Sequence, residues 1–413
     1  MVPRVGVDVT AIERVAAAYR RHRGRFLRKF LTEREIAYCA DRPERWAGRW
    51  AAKEAIGKAM PSGVSRPRMV DVEILPQDDG RPHVQVAPGT TLSGSTIDVS
   101  IAHDGHFAIA VAAIPETDVV GAVPARPEGV RLPDRPADGH KGTFGTVVVL
   151  AGSQGFTGAA YLASNGAART GAGLVRLLVA QSIYPILAEK CTEVMVHPVP
   201  ELRPGVVGDR SSAAVLGLFA GCDAAVIGPG LGRDPSTRRL LEALLPQVSI
   251  PVVLDADGLN LVSEVPGLLA RLPVDLILTP HPGEFARLSG LETAAVQADR
   301  VGAARRFAKS WRKVVVLKGA QTVIAGPDGR LSINPVATPA LASGGTGDVL
   351  AGMIGALRGQ GLPAFEAAVT GVYVHGLAGQ WLERDIGRSG VLASDLLPQI
   401  PRVMERLRAS SRE

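Results

Sequence analysis

The sequence of 413 residues predicts an α+β domain followed by an α/β domain with a central, mostly parallel sheet. Three observations carry this. The first 115 residues read as helices followed by consecutive short strands. Residues 115–140 are proline-rich and lose all periodicity. From Thr146 onward, apolar runs ending in Gly, Pro or Asp alternate with glycine turns and helices. The length itself exceeds one ordinary core. A hydrophobic content of 46% and a mean hydropathy of +0.15 fit globular α/β material.

In the front part, residues 4–9 (RVGVDV) read as a short strand ending near Asp8. Thr10 and Glu13 have capping-box spacing and predict a helix closed by the arginine run that follows. Thr32 and Glu35 repeat the device, and Pro43 suits the first turn of a third helix, PERWAGRWAAKEAIGKAM. VDVEIL, HVQVA, IDVSIA and FAIAVAAI, broken by turn residues such as Asp79-Gly80, predict an antiparallel sheet ending near Ile114. The linker is placed at 116–130, between domains at 1–115 and 131–413, and proline stiffens it. In the back part, TVVVLAG, LVRLLVA, AAVIGPG, PVVLDAD, LILTPHP and KVVVLKG read as doubly buried parallel strands. Polar residues at the C-terminal ends of such strands line the ligand crevice.

No apolar run spans a bilayer and the N-terminus has no apolar signal core, so no membrane is expected. Three widely spaced cysteines, Cys39, Cys191 and Cys222, suggest neither a disulfide framework nor a metal knuckle; the expected compartment is the cytoplasm. Net charge is +6, and the first 115 residues hold 17 Lys+Arg against 13 Asp+Glu. Six basic residues fall between Arg20 and Lys29. That run reads either as a solvated helix end and loop or as a patch for an acidic partner. Without aromatic interleaving it does not point to nucleic acid.

Asp8 at a strand end and Glu54 within a helix read either as surface carboxylates or as a pair for Mg²⁺. Mg²⁺ takes a few carboxylates with water and substrate phosphates. GVDVTAIERV, FLTEREIAYC, RWAAKEAIGKA and DVSIAHDGHFAIAVAAI resemble, in order and spacing, four segments of holo-acyl-carrier-protein synthase. The resemblance implies a phosphopantetheinyl-transferase-like fold and transfer of 4′-phosphopantetheine from coenzyme A to a serine of an acidic acyl carrier protein. It implies that Asp8 and Glu54 hold Mg²⁺, that Glu54 takes part in catalysis, and that Lys53, Lys58 and His103 contact substrate. It also implies a homo-oligomer, with a trimer favoured. Asp104 stands where the family commonly has Thr or Ser, which alters a local hydrogen bond. The Arg20–Lys29 run then suits steering of an acidic carrier.

SGGTGDVLAGMIGAL (343–357) is the most informative back segment. Its glycines let backbone approach a ligand, and the helix that follows offers N–H groups to phosphate oxygens. Asp348 reads either as a helix cap or as a reacting group. There is no GxxxxGK[ST], and GPGLG lacks the full dinucleotide fingerprint. GGTGD resembles the ribokinase-like superfamily. HKGTFGTVVVLAGSQGFTGAA, AARTGAGLV, VIGPGLG, VVLDADGLN, LTPHPGEFARL and VVLKGAQTVIAG resemble the ADP/ATP-dependent NAD(P)H-hydrate dehydratases. By that resemblance Asp348 is the catalytic base, and Ala160, Gly230, His281 and Asp348 contact NADHX or NADPHX. Lys318, Gly319, Ala320, Gln321, Thr322 and Gly347 hold ADP or ATP. His281 also reads as a turn histidine, and Asp255 and Asp257 read equally as crevice groups or helix caps.

VATPALA (336–342) departs from a GNPGMA-like run in the relatives, so the loop over the substrate is expected to differ. Many bacterial members are preceded by an epimerase domain; here the carrier-protein-synthase-like segment takes that place, and another protein is the expected source of epimerisation. Two rival readings remain at this stage: a small-molecule kinase for the back part, and a non-catalytic oligomerisation module for the front.

Overall fold

The protein is described here by a computed structural model covering residues 3–60, 66–87, 90, 92, 95–115, 124–272 and 275–409. It divides into two compact units, 1–123 and 124–413.

The front unit begins with β1 (Arg4–Ala11), α1 (Ile12–His22), α2 (Gly24–Leu27), α3 (Glu33–Cys39) and α4 (Pro43–Ala59). β2 (Val72–Pro76), β3 (Pro82–Val86), β4 (Asp98–Asp104) and β5 (Phe107–Ile114) complete it. All pairings are antiparallel, but the four late strands fall into two sheets rather than one. β2 and β3 form a hairpin by themselves, while β1 takes an edge of β5 over its whole length, giving the order β1-β5-β4. Thr32 acts as its spacing predicts: its hydroxyl accepts the Glu35 N–H and the Glu35 carboxylate accepts the Thr32 N–H. Thr10 does not cap α1. It remains in β1, where its hydroxyl donates to Asp8 Oδ2 at 2.8 Å.

α4 is rich in alanine on the face it buries (Ala47, Ala51, Ala52, Ala55, Ala59), so the helix settles close on the sheet. At Gly6 of β1 the approach is closest, since a Cβ there would stand 2.0 Å from the Ala55 carbonyl oxygen. The strand's period of two then turns Gly6, Asp8 and Thr10 toward α4. Val5, Val7 and Val9 point the other way and are exposed, with Phe107, Ile109 and Val111 of β5.

The back unit runs β6 (Thr146–Leu150), α5 (Thr157–Arg169), β7 (Leu174–Ala180), α6 (Tyr184–Lys190), β8 (Met195–Val199), α7 (Ser212–Phe219) and β9 (Ala224–Ile227). It continues through α8 (Pro235–Leu244), β10 (Val252–Leu254), α9 (Asp257–Ser263), α10 (Leu268–Arg271), β11 (Leu276–Leu278), α11 (Pro282–Ser289), α12 (Thr293–Ala298) and α13 (Arg300–Trp311). Last come β12 (Val314–Leu317), β13 (Val323–Ala325), β14 (Leu331–Ile333), α14 (Thr346–Gly359), α15 (Ala364–Asp385) and α16 (Ala393–Ala409). The nine strands form one sheet in the order β14-β13-β12-β11-β10-β9-β6-β7-β8. It is parallel from β8 to β12 and antiparallel only where β13 and β14 are added. All six apolar runs are strands. β8 carries His197 and Pro198 and lies at an edge, where a proline is tolerated; its pattern did not announce it.

Of the proline-rich stretch, 116–123 lies outside the described residues. Residues 124–140 contain no helix or strand and are bonded into the back unit. The Tyr373 hydroxyl donates to Pro124 O at 2.6 Å, Arg131 N–H donates to Thr370 Oγ1 at 2.9 Å, and Arg135 donates to Gly171 O at 2.9 Å. Among the described residues no helix is long and apolar enough to cross a membrane. The three cysteines are free and buried, and burial pushes each thiol's pKa up, that of Cys39 to about 11.

α14 lies in backbone contact with α5. A Cβ on Gly352 would stand 1.9 Å from Ala163 O, and one on Gly166 2.6 Å from Val349 O. Gly352→Ala should therefore cost roughly 1–3 kcal/mol of back-unit stability in urea unfolding. Gly217→Ala, at a helical position with open space around it, should be neutral or mildly stabilising. Equal effects at both positions would contradict the close contact.

Candidate active sites

Parallel register brings the back unit's polar residues to one level. Leu150, Ile227, Leu254 and Leu278 are matched across β6, β9, β10 and β11. The residues that follow them, Ala151, Gly228, Asp255 and Thr279, therefore open onto one crevice at the strands' C-terminal ends. Asp255 is fully buried; its Oδ1 accepts Thr279 Oγ1 and Lys318 Nζ, each at 2.7 Å, while Oδ2 has no partner among the described residues. Lys318 Nζ also lies 3.9 Å from Glu284 Oε2. Burial alone would lower the Lys318 pKa, but the Asp255 and Glu284 carboxylates outweigh it and hold the ammonium above its ordinary value.

α14 begins beside that ammonium. Its N-cap, Gly345, has φ 92°, a left-handed conformation that favours glycine. A Cβ on Gly347 would lie 3.4 Å from Lys318 Nζ. Asp348 sits in the first turn, and no side chain caps this helix. Burial, then the like charge of Asp255, pushes the Asp348 carboxyl up to about 7; Asp257 and Glu284 add to the rise and Lys318 opposes it. A carboxylate that releases its proton near neutrality, at a helix N-terminus and beside an ammonium, has the properties of a general base facing an anionic substrate.

The other expected residues take varied places. Gly319, Ala320 and Gln321 form the exposed loop from β12 to β13, closed by the Thr322 hydroxyl donating to Gly319 O. Gly230 stands against Phe156 and Ala159, and its carbonyl accepts Ser153 Oγ at 2.8 Å. Ala160 is fully buried, with its Cβ against Gly152. His281 is both turn residue and crevice residue. Its Nδ1 accepts the Gly283 N–H to cap α11, and the Glu284 carboxylate accepts the His281 N–H. That bond places the ring proton on Nε2, and burial followed by Lys318 lowers the His281 pKa, so the ring is neutral. Asp257 caps no helix; it accepts the Gly232 N–H at 2.9 Å and so ties down GPGLG. The departing VATPALA segment makes a short 3₁₀ turn, in which Thr338 caps Ala340 N–H and donates to Glu383.

In the front unit, Asp8 Oδ1 accepts Lys58 Nζ at 2.8 Å. Glu54, one turn before Lys58 on α4, lies on the same ridge and has no hydrogen-bond or ion-pair partner among the described residues. Glu54 lines a hollow of about 180 Å³ with Lys53, Gly57, Arg66, Met69 and Val72. His103 is exposed on β4 and pairs with Ala108, which pairs with Thr10, so it shares the sheet face of Asp8 with β5 between them. Lys53 lines the same hollow, but its ammonium is buried and lies 2.6 Å from both Glu35 Oε2 and Phe30 O. Burial lowers its pKa and Glu35 opposes that. Glu35 is meanwhile the capping residue of α3 and accepts the Ile74 N–H, so this pair joins three elements.

Residues 147–402, more than half of the chain, match the NAD(P)H-hydrate dehydratase family model. The chain belongs to the NAD(P)H-hydrate dehydratase family. Residues 4–112 separately match the 4′-phosphopantetheinyl transferase superfamily, so both resemblances read from the sequence are matched. A bifunctional NAD(P)H-hydrate repair enzyme of Moorella thermoacetica is 45% identical over 277 residues, covering 67% of this chain and 52% of that protein. This chain thus spans about half the length of that curated relative. An ADP-dependent (S)-NAD(P)H-hydrate dehydratase of Xanthomonas campestris is 39% identical over 65% of this chain and 91% of its own length. Among solved structures, the Bacillus subtilis ADP/ATP-dependent NAD(P)H-hydrate dehydratase, co-crystallised with ATP and Mg²⁺, has a TM-score of 0.57 and 34% identity. It covers 67% of this chain and 94% of that one.

One buried residue of the back unit carried no sequence signal. His375 of α15 is buried, with Nε2 2.9 Å from the carbonyl oxygen of Thr346, the first residue of α14. It is one His on a helix buried all round, so no pattern set it apart. Burial pushes its pKa from 6.5 down to about 4. Its unfolded form takes up a proton that the folded form refuses, so back-unit stability should fall as pH drops from about 6.5 to about 4, and no further from this source below that. The expected loss is on the order of 3 kcal/mol, and His375→Gln should flatten the slope. In the front unit, Lys53→Met should cost about 3–5 kcal/mol by leaving Glu35 buried and unpaired. A Lys53→Met variant of unchanged stability would show that the pair does not hold the front unit together.

Proposed function

We propose that this chain is a bifunctional enzyme. The back unit dehydrates hydrated NADH and NADPH at the expense of ADP or ATP, and the front unit transfers 4′-phosphopantetheine from coenzyme A to a serine of acyl carrier protein. The observation that carries the first reading is Asp348, a half-buried carboxylate with its pKa near 7 in the first turn of α14, beside Lys318. In its ionised form Asp348 takes the proton of the C6 hydroxyl as that oxygen attacks the terminal phosphoryl group. The O–P bond forms while the bond to the remaining nucleotide breaks. Phosphate then departs from C6 as a proton leaves C5, which restores the ring double bond. Lys318 and the helix N-terminus stabilise the phosphoryl charge; Lys318–Thr322 and Gly347 hold the nucleotide, and His281 and Gly230 meet the substrate.

Asp8 on β1 and Glu54 on α4 are the carboxylates that would hold a hard divalent cation; Asp8 accepts Lys58, one turn beyond Glu54, and Glu54 has no partner among the described residues. When bound there, Mg²⁺ neutralises charge on the pyrophosphate of coenzyme A. Lys58, bonded to Asp8, would contact the same phosphates, the serine hydroxyl attacks the β-phosphate, and adenosine 3′,5′-bisphosphate leaves. The exposed apolar sheet face of Val5, Val7, Val9, Phe107, Ile109 and Val111 supports a homo-oligomer built on the front unit. That face is also what the rival reading, a front unit serving only for assembly, would use.

Asp348→Asn keeps the shape of the first turn and removes the base. Dehydration of hydrated NADH should fall roughly 100-fold or more with nucleotide affinity kept. In the wild type the rate should rise with pH through about 7, as Asp348 loses its proton. Near-normal dehydration by Asp348→Asn would remove it as the base. Phosphorylation of a small alcohol with no action on hydrated NADH would install the kinase reading. Asp8→Ala or Glu54→Ala should abolish carrier-protein modification and leave dehydration intact; full modification by both variants would leave assembly as the front unit's role.

A further inference from the structure

The loop from β12 to β13 is held by a residue that no motif singled out. Arg300, the first residue of α13, donates from Nη1 to Ala320 O at 2.6 Å, and from Nη2 to Leu317 O at 2.9 Å and Lys318 O at 3.1 Å. It is half-buried, burial pulls its pKa below the ordinary arginine value, and it has no carboxylate partner among the described residues. Three peptide carbonyls take the place of a counter-ion. A guanidinium suits this because its donors form a rigid planar fork.

In a trans peptide the C=O and N–H point opposite ways. Leu317 C=O faces Arg300, and the N–H of the same peptide, that of Lys318, runs the other way to Pro280 O at 2.9 Å, at the end of β11. The same rule applied to the Lys318 and Ala320 carbonyls turns the Gly319 and Gln321 N–H groups away from Arg300. Neither of these has an acceptor among the described residues. Holding that arrangement needs unusual backbone. Gly319 has φ 142° and Gln321 has φ 54°, both outside the regions that side chains favour. A Cβ on Gly319 would stand 2.8 Å from Arg300 Nη2. Glycine is therefore required by the arginine as well as by φ.

We propose that Arg300 is the positioning residue of the nucleotide site. It fixes the peptide planes of 317–321 so that the Gly319 and Gln321 amides are presented, unpaired, to the anionic part of a nucleoside diphosphate or triphosphate. This rests on the reading of Lys318–Thr322 as the nucleotide loop. Arg300 itself touches no reacting atom, and its removal acts through the loop's shape.

The test compares Arg300→Lys, Arg300→Ala and Gly319→Ala with the wild-type chain, using ADP binding by calorimetry and steady-state rates with hydrated NADH. Arg300→Lys retains a charge without the fork and should raise KM and Kd for ADP roughly 10-fold. kcat and KM for hydrated NADH should stay within about twofold, a split that a general loss of structure does not produce. Millimolar guanidinium should restore ADP affinity to Arg300→Ala. Gly319→Ala should give the same KM rise with Arg300 in place, and decides the matter if the arginine variants do not fold. Unchanged ADP affinity in Arg300→Lys or in Gly319→Ala would overturn the role of Arg300 while leaving the loop's assignment standing. A wild-type chain that binds no ADP would overturn the assignment itself.

Discussion

The backbone contact between α14 and α5 is the constraint on which the back unit's chemistry depends. Two glycines, Gly166 and Gly352, let the helices touch along their main chains, and Gly355 lets the other side of α14 lie against Val226 of β9. With both flanks fixed, the first turn of α14 has one position relative to the strand ends. Asp348 is therefore set against Asp255 and Lys318 by helix packing rather than by its own hydrogen bonds. Close packing tolerates little adjustment, so the glycines far from the crevice set its geometry.

Electrostatics then sorts residues of similar type into different tasks. In the back unit, one ammonium, Lys318, faces Asp255, Glu284 and Asp348. Negative charge exceeds positive there, and burial together with the neighbouring Asp255 pushes both the Glu284 and Asp348 carboxyls up, Asp348 to about 7. In the front unit, Lys53 and Glu35 are one to one and buried, and the pair joins α3, α4 and β2. Lys58, five residues along the same helix, is half-exposed and keeps its ammonium beside Asp8.

The sequence made the architecture legible because each of its signals was local. Runs of apolar residues ending in Gly, Pro or Asp mark buried parallel strands whatever lies around them, and Thr32 with Glu35 closes a capping box within one turn. Thr10 offers the same letters, but the pairing of β1 with β5 carries the strand past it, and a non-local contact outweighed a local preference. Lys53 and Lys58 look alike in RWAAKEAIGKA, yet which one is exposed depends on where α4 meets Phe30 and Glu35, far off in sequence. Asp348 was legible through its glycines, while its pKa near 7 comes from burial and then from Asp255, at the end of a strand far off in sequence. His375 and Arg300 were illegible for the same reason: each acts on backbone carbonyls, which carry no letter in the sequence.

The buried cysteines give the molecule a property of another kind. A thiol reacts as its thiolate, and burial keeps Cys39 in the front unit, and Cys191 and Cys222 in the back, protonated and screened. Each becomes open to alkylation only when the structure around it opens. Cys39 therefore reports the unfolding of one half and the other two that of its neighbour. Mass spectrometry of a pulse-labelled intact chain can then follow both melting processes at once, with no engineered probe.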